Sequence, residues 1–244
     1  MIDINRWNQL GKKYWLTRTD KQKWAHNYVL FNSICEMINK QNLIYLLDYG
    51  CGGGELLNYI SMCLKNVKAT GYDISPNMRN VAKRQFPMLD IIDTFIFDQY
   101  DIICMNLVLQ DVDKPVELLS QLKNNLKKNG HIIITLPHPV FSLIEADHLT
   151  TQRVIQNSNG SKGIYRYLFE ETERVHWNTD NSNWTNLYNR TFSTYSLIFS
   201  EAGYLIDYIT EPLPIESGKC DNELYNLFSL TPKFVLFCIT PKVK

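Results

Sequence analysis

Apolar residues fall into two alternating patterns along the chain. Stripes with spacings of three and four, such as Trp24, Tyr28 and Phe31, predict amphipathic helices. Continuous apolar runs, such as residues 100–106, predict strands buried on both faces. With capping and stop signals, the predicted helices are 20–40, 56–64, 76–86, 113–130 and 193–202, and the predicted strands are 46–49, 67–73, 100–106, 131–136, 204–210 and 234–240. This alternation predicts an α/β fold with a parallel sheet and helices on both faces.

The length of 244 residues suits a single domain. Residues 1–40 are expected to form a helical N-terminal cap, and residues 137–190 form an insertion that the core sheet does not need. The insertion is aromatic: Tyr165, Tyr167 and Phe169 alternate along a predicted strand, and His176, Trp177 and Trp184 follow it. These side chains either roof a substrate pocket or only pack the insertion onto the sheet.

The balance of charges indicates a small partner. The chain carries 25 basic and 25 acidic residues, so no net field attracts nucleic acid or an anionic membrane. Six cysteines are scattered without a C-x-x-C pair, which is typical of buried thiols in a reducing compartment. The first residues lack the apolar segment of a signal peptide, and no apolar run approaches the roughly 18 residues of a membrane span. We therefore expect a cytoplasmic protein, a monomer or homodimer, without membrane or nucleic-acid partners.

The strongest chemical signal is a glycine loop between the first predicted strand and the next helix. Its pattern is Asp48-x-Gly50-x-Gly52-x-Gly54, followed by Glu55. Glycine lets the backbone approach a ligand closely and adopt positive φ at little cost. The dinucleotide fingerprint G-x-G-x-x-G, counted from Gly50, needs its third glycine at position 55. Glu55 therefore opposes a nicotinamide-dependent oxidoreductase, which remains the alternative enzyme class.

The loop resembles motif I of the class I S-adenosylmethionine-dependent methyltransferases, and Asp73 ends the next predicted strand at the matching place. The resemblance implies that Gly50, Gly52 and Gly54 pass beneath the methionine part of the cofactor and that Asp48 holds its ammonium end. It implies that Asp73 accepts both ribose hydroxyls, a device that dinucleotide-binding folds share. It also implies a Rossmann-like, seven-stranded, mostly parallel sheet whose final strand is antiparallel, and S-adenosylhomocysteine as the product.

Weaker matches extend the predicted cofactor site. The resemblance places Ile74 beside the nucleoside and Asp93 near the adenine amino group, although Asp93 is also compatible with a plain turn residue. It places Asn106 and Leu107, at the end of the fourth strand, against the cofactor. Tyr14, in the N-terminal segment, is expected to reach the methionine end.

The predicted acceptor site lies beyond the fourth strand and in the second half of the chain. Gln110 follows that strand in a sequence that lacks the N-P-P-Y motif of enzymes methylating nucleic-acid bases. Arg190 lies in a segment that resembles bacterial small-molecule methyltransferases, where a histidine usually precedes the arginine. Because Asn189 stands there, no proton-transfer role is carried over. His176 and Trp177 complete the predicted substrate-binding residues.

Methyl transfer from a sulfonium is an in-line displacement in which positioning does most of the work. A general base is needed only when the acceptor must lose a proton. His138, after the fifth strand at the carboxyl edge of the sheet, is the predicted catalytic base, with His176 second and a purely structural role for His138 as the alternative. No metal is expected, because the histidines lack zinc-site spacing with Cys or Glu. The sequence thus predicts a small-molecule methyltransferase, with a catalytically silent cofactor-binding protein of the same fold as the alternative outside enzymes.

Overall fold

The computed structural model describes residues 4–11, 19–38, 42–94, 97–141, 154–156, 162–164, 167–168, 170, 172–176 and 184–242. Four residues named in the sequence predictions lie outside these ranges: Tyr14, Tyr165, Phe169 and Trp177. For His176 the description covers the backbone only.

A seven-stranded sheet forms the centre of the molecule, in the order β10-β11-β5-β4-β1-β2-β3. Its strands are β1 (Ile44–Tyr49), β2 (Val67–Tyr72), β3 (Asp90–Ile91), β4 (Tyr100–Asn106), β5 (Leu126–Pro137), β10 (Tyr204–Thr210) and β11 (Phe234–Pro241). The pairs from β5 through β4, β1 and β2 to β3 are parallel. The final strand, β11, lies antiparallel between β5 and β10. The predicted Rossmann-like sheet with a final antiparallel strand is confirmed.

Helices cover both faces of this sheet. They are α1 (Ile4–Leu10), α2 (Asp20–Ala25), α3 (Phe31–Met37), α4 (Glu55–Cys63), α5 (Pro76–Gln85), α6 (Pro115–Leu122), α7 (Phe192–Glu201) and α8 (Asn222–Leu230). Successive strand side chains point to opposite faces. Leu46 of β1 therefore packs with α3 and α4, whereas Leu47 packs with α6 and α7. Both side chains are fully buried, which explains the continuous apolar runs in the sequence.

The predicted helix over residues 113–130 is wrong in its second half. Helix α6 ends at Leu122, a short 3-10 turn follows, and β5 already begins at Leu126. Leu126 pairs with Tyr100 of β4 and is buried in the core, so tertiary pairing overrides the helical spacing. Gly130 lies inside the strand, where a Cβ atom would lie 2.9 Å from the carbonyl oxygen of Tyr100. The glycine allows close strand approach and does not stop a helix.

Helix α2 packs against α8, a helix near the C-terminus that the sequence prediction missed. Between α2 and α3 the chain forms a π-helical segment, His26–Leu30, so the predicted helix over 20–40 is irregular and ends at Met37. Trp24 lies 5.3 Å from Phe228 of α8, measured between ring centroids, and its indole N–H donates to the carbonyl of Gly218. These contacts join the first helices to the segment between β10 and β11.

The insertion contains two antiparallel hairpins, β6 (Val154–Gln156) with β7 (Lys162–Ile164) and β8 (Thr172–His176) with β9 (Trp184–Tyr188). The strand predicted over residues 165–169 is wrong at Tyr167, which lies in a turn. The Tyr167 hydroxyl accepts a hydrogen bond from the backbone N–H of Phe192, in the first turn of α7. Tyr167 therefore does not belong to a strand face, and its hydroxyl instead anchors the insertion to the domain.

Candidate functional site

The glycine loop leaves β1 in a conformation that requires its glycines. Gly50, Gly52 and Gly54 have φ of 80°, 53° and 87°, in the left-handed region. A Cβ on Gly50 would lie 2.5 Å from Val108, so the turn leaves no room for a side chain. A Cβ on Gly52 would meet no atom within 4 Å. The main chain at Gly52 is therefore open on the side where a larger residue would project.

Asp48 brings a carboxyl group to the base of this loop. The residue is 1 % exposed, and its Oδ2 atom has no hydrogen-bond partner in the described parts of the chain. Burial, with smaller contributions from the nearby carboxylates of Asp73 and Glu55, raises the pKa of Asp48 to about 8. An unpartnered buried carboxyl is costly unless a cation or donor reaches it. Asp48 therefore fits the ammonium group of an amino-acid moiety.

Asp73 follows β2 and ties the second strand to the glycine loop. Its Oδ2 atom accepts the backbone N–H of Gly52 at 3.0 Å, and its Oδ1 atom accepts that of Ser75 at 2.8 Å. Burial raises the pKa of Asp73 to about 6, and these two hydrogen bonds and Arg79 oppose the shift. Each carboxylate oxygen has a second lone pair. Asp73 can thus support the loop and still accept hydroxyl groups of a ribose.

Arg79 links the residues predicted at the adenine end. Its Nη1 atom donates to the main-chain carbonyls of Asp73, at 2.6 Å, and Ile74, at 3.5 Å. Its Nε atom lies 2.8 Å from Oδ1 of Asp93, whose side chain is largely exposed. The structure therefore brings Ile74 and Asp93 to one arginine beside Asp73. The sequence prediction did not include Arg79, which lies inside a helix without a local motif.

The end of β4 is held in an unusual backbone conformation. Leu107 has φ of 55°, a left-handed value that costs a non-glycine residue roughly 1 kcal/mol or more. Its N–H donates to Oγ1 of Thr135 at 3.0 Å, and the Thr135 hydroxyl donates to Oδ1 of Asn106 at 2.7 Å. The Leu107 carbonyl accepts Nε2 of Gln110 at 2.6 Å. Asn106, Leu107 and Gln110 therefore form one bonded unit at the carboxyl edge of the sheet.

Arg190 supports the turn that carries Gln110. Its Nη1 and Nη2 atoms donate to the carbonyls of Leu109 and Val112, at 3.1 and 2.6 Å. Burial holds the pKa of the adjacent Asp111 carboxyl well above its usual value, although Gln110 and Arg190 partly oppose that shift. These two bonds position the turn. They use two of the five N–H groups of the guanidinium, so direct substrate binding by Arg190 stays a prediction.

His138 lies after β5, but its ring is fully engaged. Its Nδ1 atom accepts the backbone N–H groups of Val140 and Phe141, each at 3.1 Å, and Nε2 lies 2.7 Å from Oε1 of Glu211. Burial lowers the pKa of His138, and Glu211 opposes this shift. Since Nδ1 accepts, the proton resides on Nε2 and is directed to Glu211. This geometry favours the structural alternative for His138 over the predicted role of catalytic base, because both ring nitrogens are already hydrogen-bonded.

Helix α1 covers the cofactor edge and contacts the insertion. Asn8 accepts the Ser75 hydroxyl at 2.7 Å, and its carbonyl accepts the Asn77 amide at 2.8 Å. On the same helix, the Arg6 guanidinium lies 3.7 Å from the ring centre of Trp184 in β9. Helix α1 thus contacts both Ser75, two residues after Asp73, and the β8–β9 hairpin of the insertion. These contacts are distant in sequence and leave no local signal.

Two kinds of feature are absent from the described ranges. No helix within them has the length and apolar character that a membrane crossing needs. The same ranges hold no group of three or more His, Cys, Asp or Glu side chains arranged to bind a metal ion.

The open glycine loop, the buried Asp48 and the buried Asp73 lie together at the carboxyl edge, where α/β folds of this kind bind nucleoside cofactors. The family model described as a methyltransferase domain matches residues 16–203. The chain belongs to this family and is a methyltransferase that uses S-adenosylmethionine. The predicted family and cofactor are confirmed.

Individual proteins are similar to this chain over different shares of its length. An uncharacterised protein from Haemophilus influenzae is 24% identical over 91% of this chain and 93% of its own length. A malonyl-[acyl-carrier protein] O-methyltransferase from Halalkalibacterium halodurans is 27% identical, and the match spans 55% of each chain. The crystal structure of an S-adenosylmethionine-dependent methyltransferase from Mesorhizobium loti has a TM-score of 0.66 at 20% identity and covers 85% of this chain and 95% of that one. This last likeness is one of fold.

Proposed function

We propose that this protein transfers the methyl group of S-adenosylmethionine to a small-molecule acceptor by in-line displacement. The observation that carries the proposal is the unpartnered, buried Asp48 carboxyl beneath a glycine loop that is open at Gly52. A nucleoside-binding edge alone would suit several cofactors. A buried carboxyl at the other end of the same loop suits a cofactor that also carries an ammonium group.

Each described residue of the site has a role in this proposal. Asp48 holds the ammonium group, and the main chain at Gly50, Gly52 and Gly54 lies beneath the methionine part. Asp73 accepts the ribose hydroxyls with its free lone pairs. Ile74 and Asp93 contact the adenine, and Asn106 and Leu107 face the cofactor from β4. Tyr14, outside the described ranges, stays a prediction for the methionine end.

Four features support a small acceptor. The charge balance gives no attraction for nucleic acid, and the sequence after β4 lacks the base-methylation motif. Helix α1 contacts the β8–β9 hairpin through Arg6 and Trp184, and a cover of this kind suits a small ligand better than a polymer. One relative, from Schizosaccharomyces pombe, is named as an O-methyltransferase of ubiquinone biosynthesis. His176 and Trp177 of the insertion stay predictions for acceptor binding.

Catalysis in this site depends on positioning. Bound S-adenosylmethionine supplies a methyl carbon that already carries a good leaving group. Asp48 and Asp73 fix the two ends of the cofactor, and Arg190 fixes the turn of Gln110 beside it. Holding the two reactants in line provides the effective-molarity advantage of oriented groups. With His138 committed to Glu211, we assign no general base among the described residues.

Isothermal titration calorimetry tests the donor directly. The protein is titrated with S-adenosylmethionine, S-adenosylhomocysteine and NAD. We expect the two adenosyl ligands to bind and NAD to give no heat, and binding of NAD alone would overturn the proposal. Asp73→Ala should weaken the binding of S-adenosylhomocysteine by at least about tenfold, because two charge-assisted hydrogen bonds are lost. The exposed Asp20→Ala is the matched control and should bind like the unmodified protein. Equal affinities in both variants would move the ribose site elsewhere.

A further inference from the structure

Two buried amide atoms lack a hydrogen-bond partner in the part of the chain that is described: the Oε1 atom of Gln110 and the Nδ2 atom of Asn189. Gln110 itself is 7 % exposed. Buried amide atoms are nearly always paired in folded proteins. An unpaired acceptor and an unpaired donor therefore indicate polar atoms that a ligand can bond.

The orientation of the Gln110 amide is determined by its other end. Its Nε2 atom donates to the Leu107 carbonyl at 2.6 Å and lies 3.3 Å from Oδ2 of Asp111. Reversing the amide would place its oxygen against two other oxygens. The free end of the side chain is consequently the oxygen, which can only accept hydrogen bonds.

The two amides belong to elements that Arg190 joins. Asn189 immediately precedes Arg190, whose guanidinium bonds to the carbonyls of Leu109 and Val112 on either side of Gln110. Leu107, which holds the Gln110 amide, directly follows β4 at the carboxyl edge of the sheet. Gln110 thus lies next to the predicted cofactor-binding residues, where an acceptor must place its nucleophile.

We propose that Gln110 selects acceptors whose nucleophilic atom carries a hydrogen, a hydroxyl or an amine, and disfavours carboxylates. The proposal rests on the proposed methyltransferase function. A hydroxyl or amine donates its hydrogen to Oε1 of Gln110, and this bond turns a lone pair of the same atom toward the methyl carbon. A carboxylate has only acceptor atoms, so its oxygen would face another oxygen in a desolvated place. The Asn189 amide donates to a second polar atom of the acceptor.

The chemistry balances without a protein base. The lone pair of the hydroxyl or amine forms the new bond to the methyl carbon, the carbon–sulfur bond breaks, and its electron pair stays on sulfur, which becomes the neutral thioether. The acceptor's hydrogen, held by Gln110 until then, leaves as a proton to solvent water. An amide does not take up this proton at neutral pH, and Asn189 likewise offers no base.

Ring-matched probes test the selection by binding, independently of turnover. Benzyl alcohol, aniline and benzoate are each titrated by ligand-detected NMR into protein saturated with S-adenosylhomocysteine. Aniline is chosen because its amine is neutral, with a free lone pair, at neutral pH. We expect the alcohol and the amine to bind at least about fivefold more tightly than benzoate, the penalty of one buried unsatisfied contact. A smaller preference, a preference for benzoate, or no detectable binding of the two hydrogen-bearing probes would overturn the proposal.

Variants separate selection from a structural role of the same side chain. Gln110→Leu should reduce the preference to less than about twofold while S-adenosylhomocysteine affinity stays within about twofold. If Gln110 were purely structural, its replacement would weaken the binding of all three probes equally and leave the ratio of their affinities unchanged. That result would contradict the proposal. Asn189→Leu leaves the Gln110 amide bonded to Leu107 and provides the check if Gln110→Leu unfolds. It should weaken the binding of all three probes without removing the preference. Failure of S-adenosylhomocysteine to bind the unmodified protein would instead refute the underlying function.

Discussion

The buried Asp48 carboxyl should make the cofactor-free protein less stable as the pH rises. The pKa of Asp48 in the folded state is about 8, against an ordinary value of 3.8, because burial disfavours the charge. The folded state therefore binds the proton more tightly than the unfolded state between these two pKa values. Stability is lost as pH rises through this window, and each unit of pH costs about 1.4 kcal/mol.

The magnitude follows from the window that an experiment can cover. Between pH 5 and pH 7 the Asp48 contribution should fall by about 2–3 kcal/mol, an upper value because it assumes that the buried site does not relax. Asp48→Asn has no such titration, and the cost of burying its amide is the same at both pH values. The difference between wild type and Asp48→Asn, compared between pH 5 and pH 7, therefore isolates the carboxyl group.

Urea unfolding of both proteins without cofactor measures this double difference. We expect Asp48→Asn to gain about 2–3 kcal/mol relative to wild type on going from pH 5 to pH 7. The exposed Asp20→Asn should show no such gain. A double difference below about 0.5 kcal/mol would refute the argument, because it would mean that Asp48 already has a partner that satisfies its charge.

Three further predictions follow from the same geometry. Gly50→Ala should destabilise the fold, since its Cβ would lie 2.5 Å from Val108, whereas Gly52→Ala should mainly weaken cofactor binding. Equal effects of the two substitutions on stability would contradict the assigned roles. His138→Ala should cost about 2–4 kcal/mol of stability and change kcat of the folded enzyme by less than about threefold, so a hundredfold loss of kcat at unchanged stability would restore its catalytic role. Arg190→Met should lower kcat with S-adenosylmethionine Kd unchanged, as measured by kinetics and calorimetry, and a changed Kd with intact kcat would show that Arg190 serves the cofactor.

The elements predicted well are those whose pattern is local and repeated. The β4 run and the glycine loop with Asp48 and Asp73 follow patterns among neighbours in sequence. Their positions could therefore be predicted from the order of residues. The register of β5 was not, because Leu126 has helical spacing with α6 and only its pairing with Tyr100 makes it a strand residue. Helix α8 was missed because its burial depends on Trp24, from the opposite end of the chain.

The acceptor side of the site was predicted less well for the same reason. His138 has the right position for a base, but Glu211 and the Val140 and Phe141 amides, which occupy its ring, come from the fold around it. Arg190 lies in a recognisable segment, yet its bonding partners belong to a turn far away in the sequence. Residue type indicates what a side chain can do, and only the tertiary contacts show whether it is free to do it.

A crystal structure with S-adenosylhomocysteine bound would test the central claim most directly. We predict that the amino-acid ammonium lies within about 3.2 Å of the Asp48 carboxylate and that both ribose hydroxyls lie within the same distance of Asp73. The carboxyl end of the ligand should run over Gly52. A nucleoside bound elsewhere, or one bound here with its ammonium group directed away from Asp48, would contradict the account.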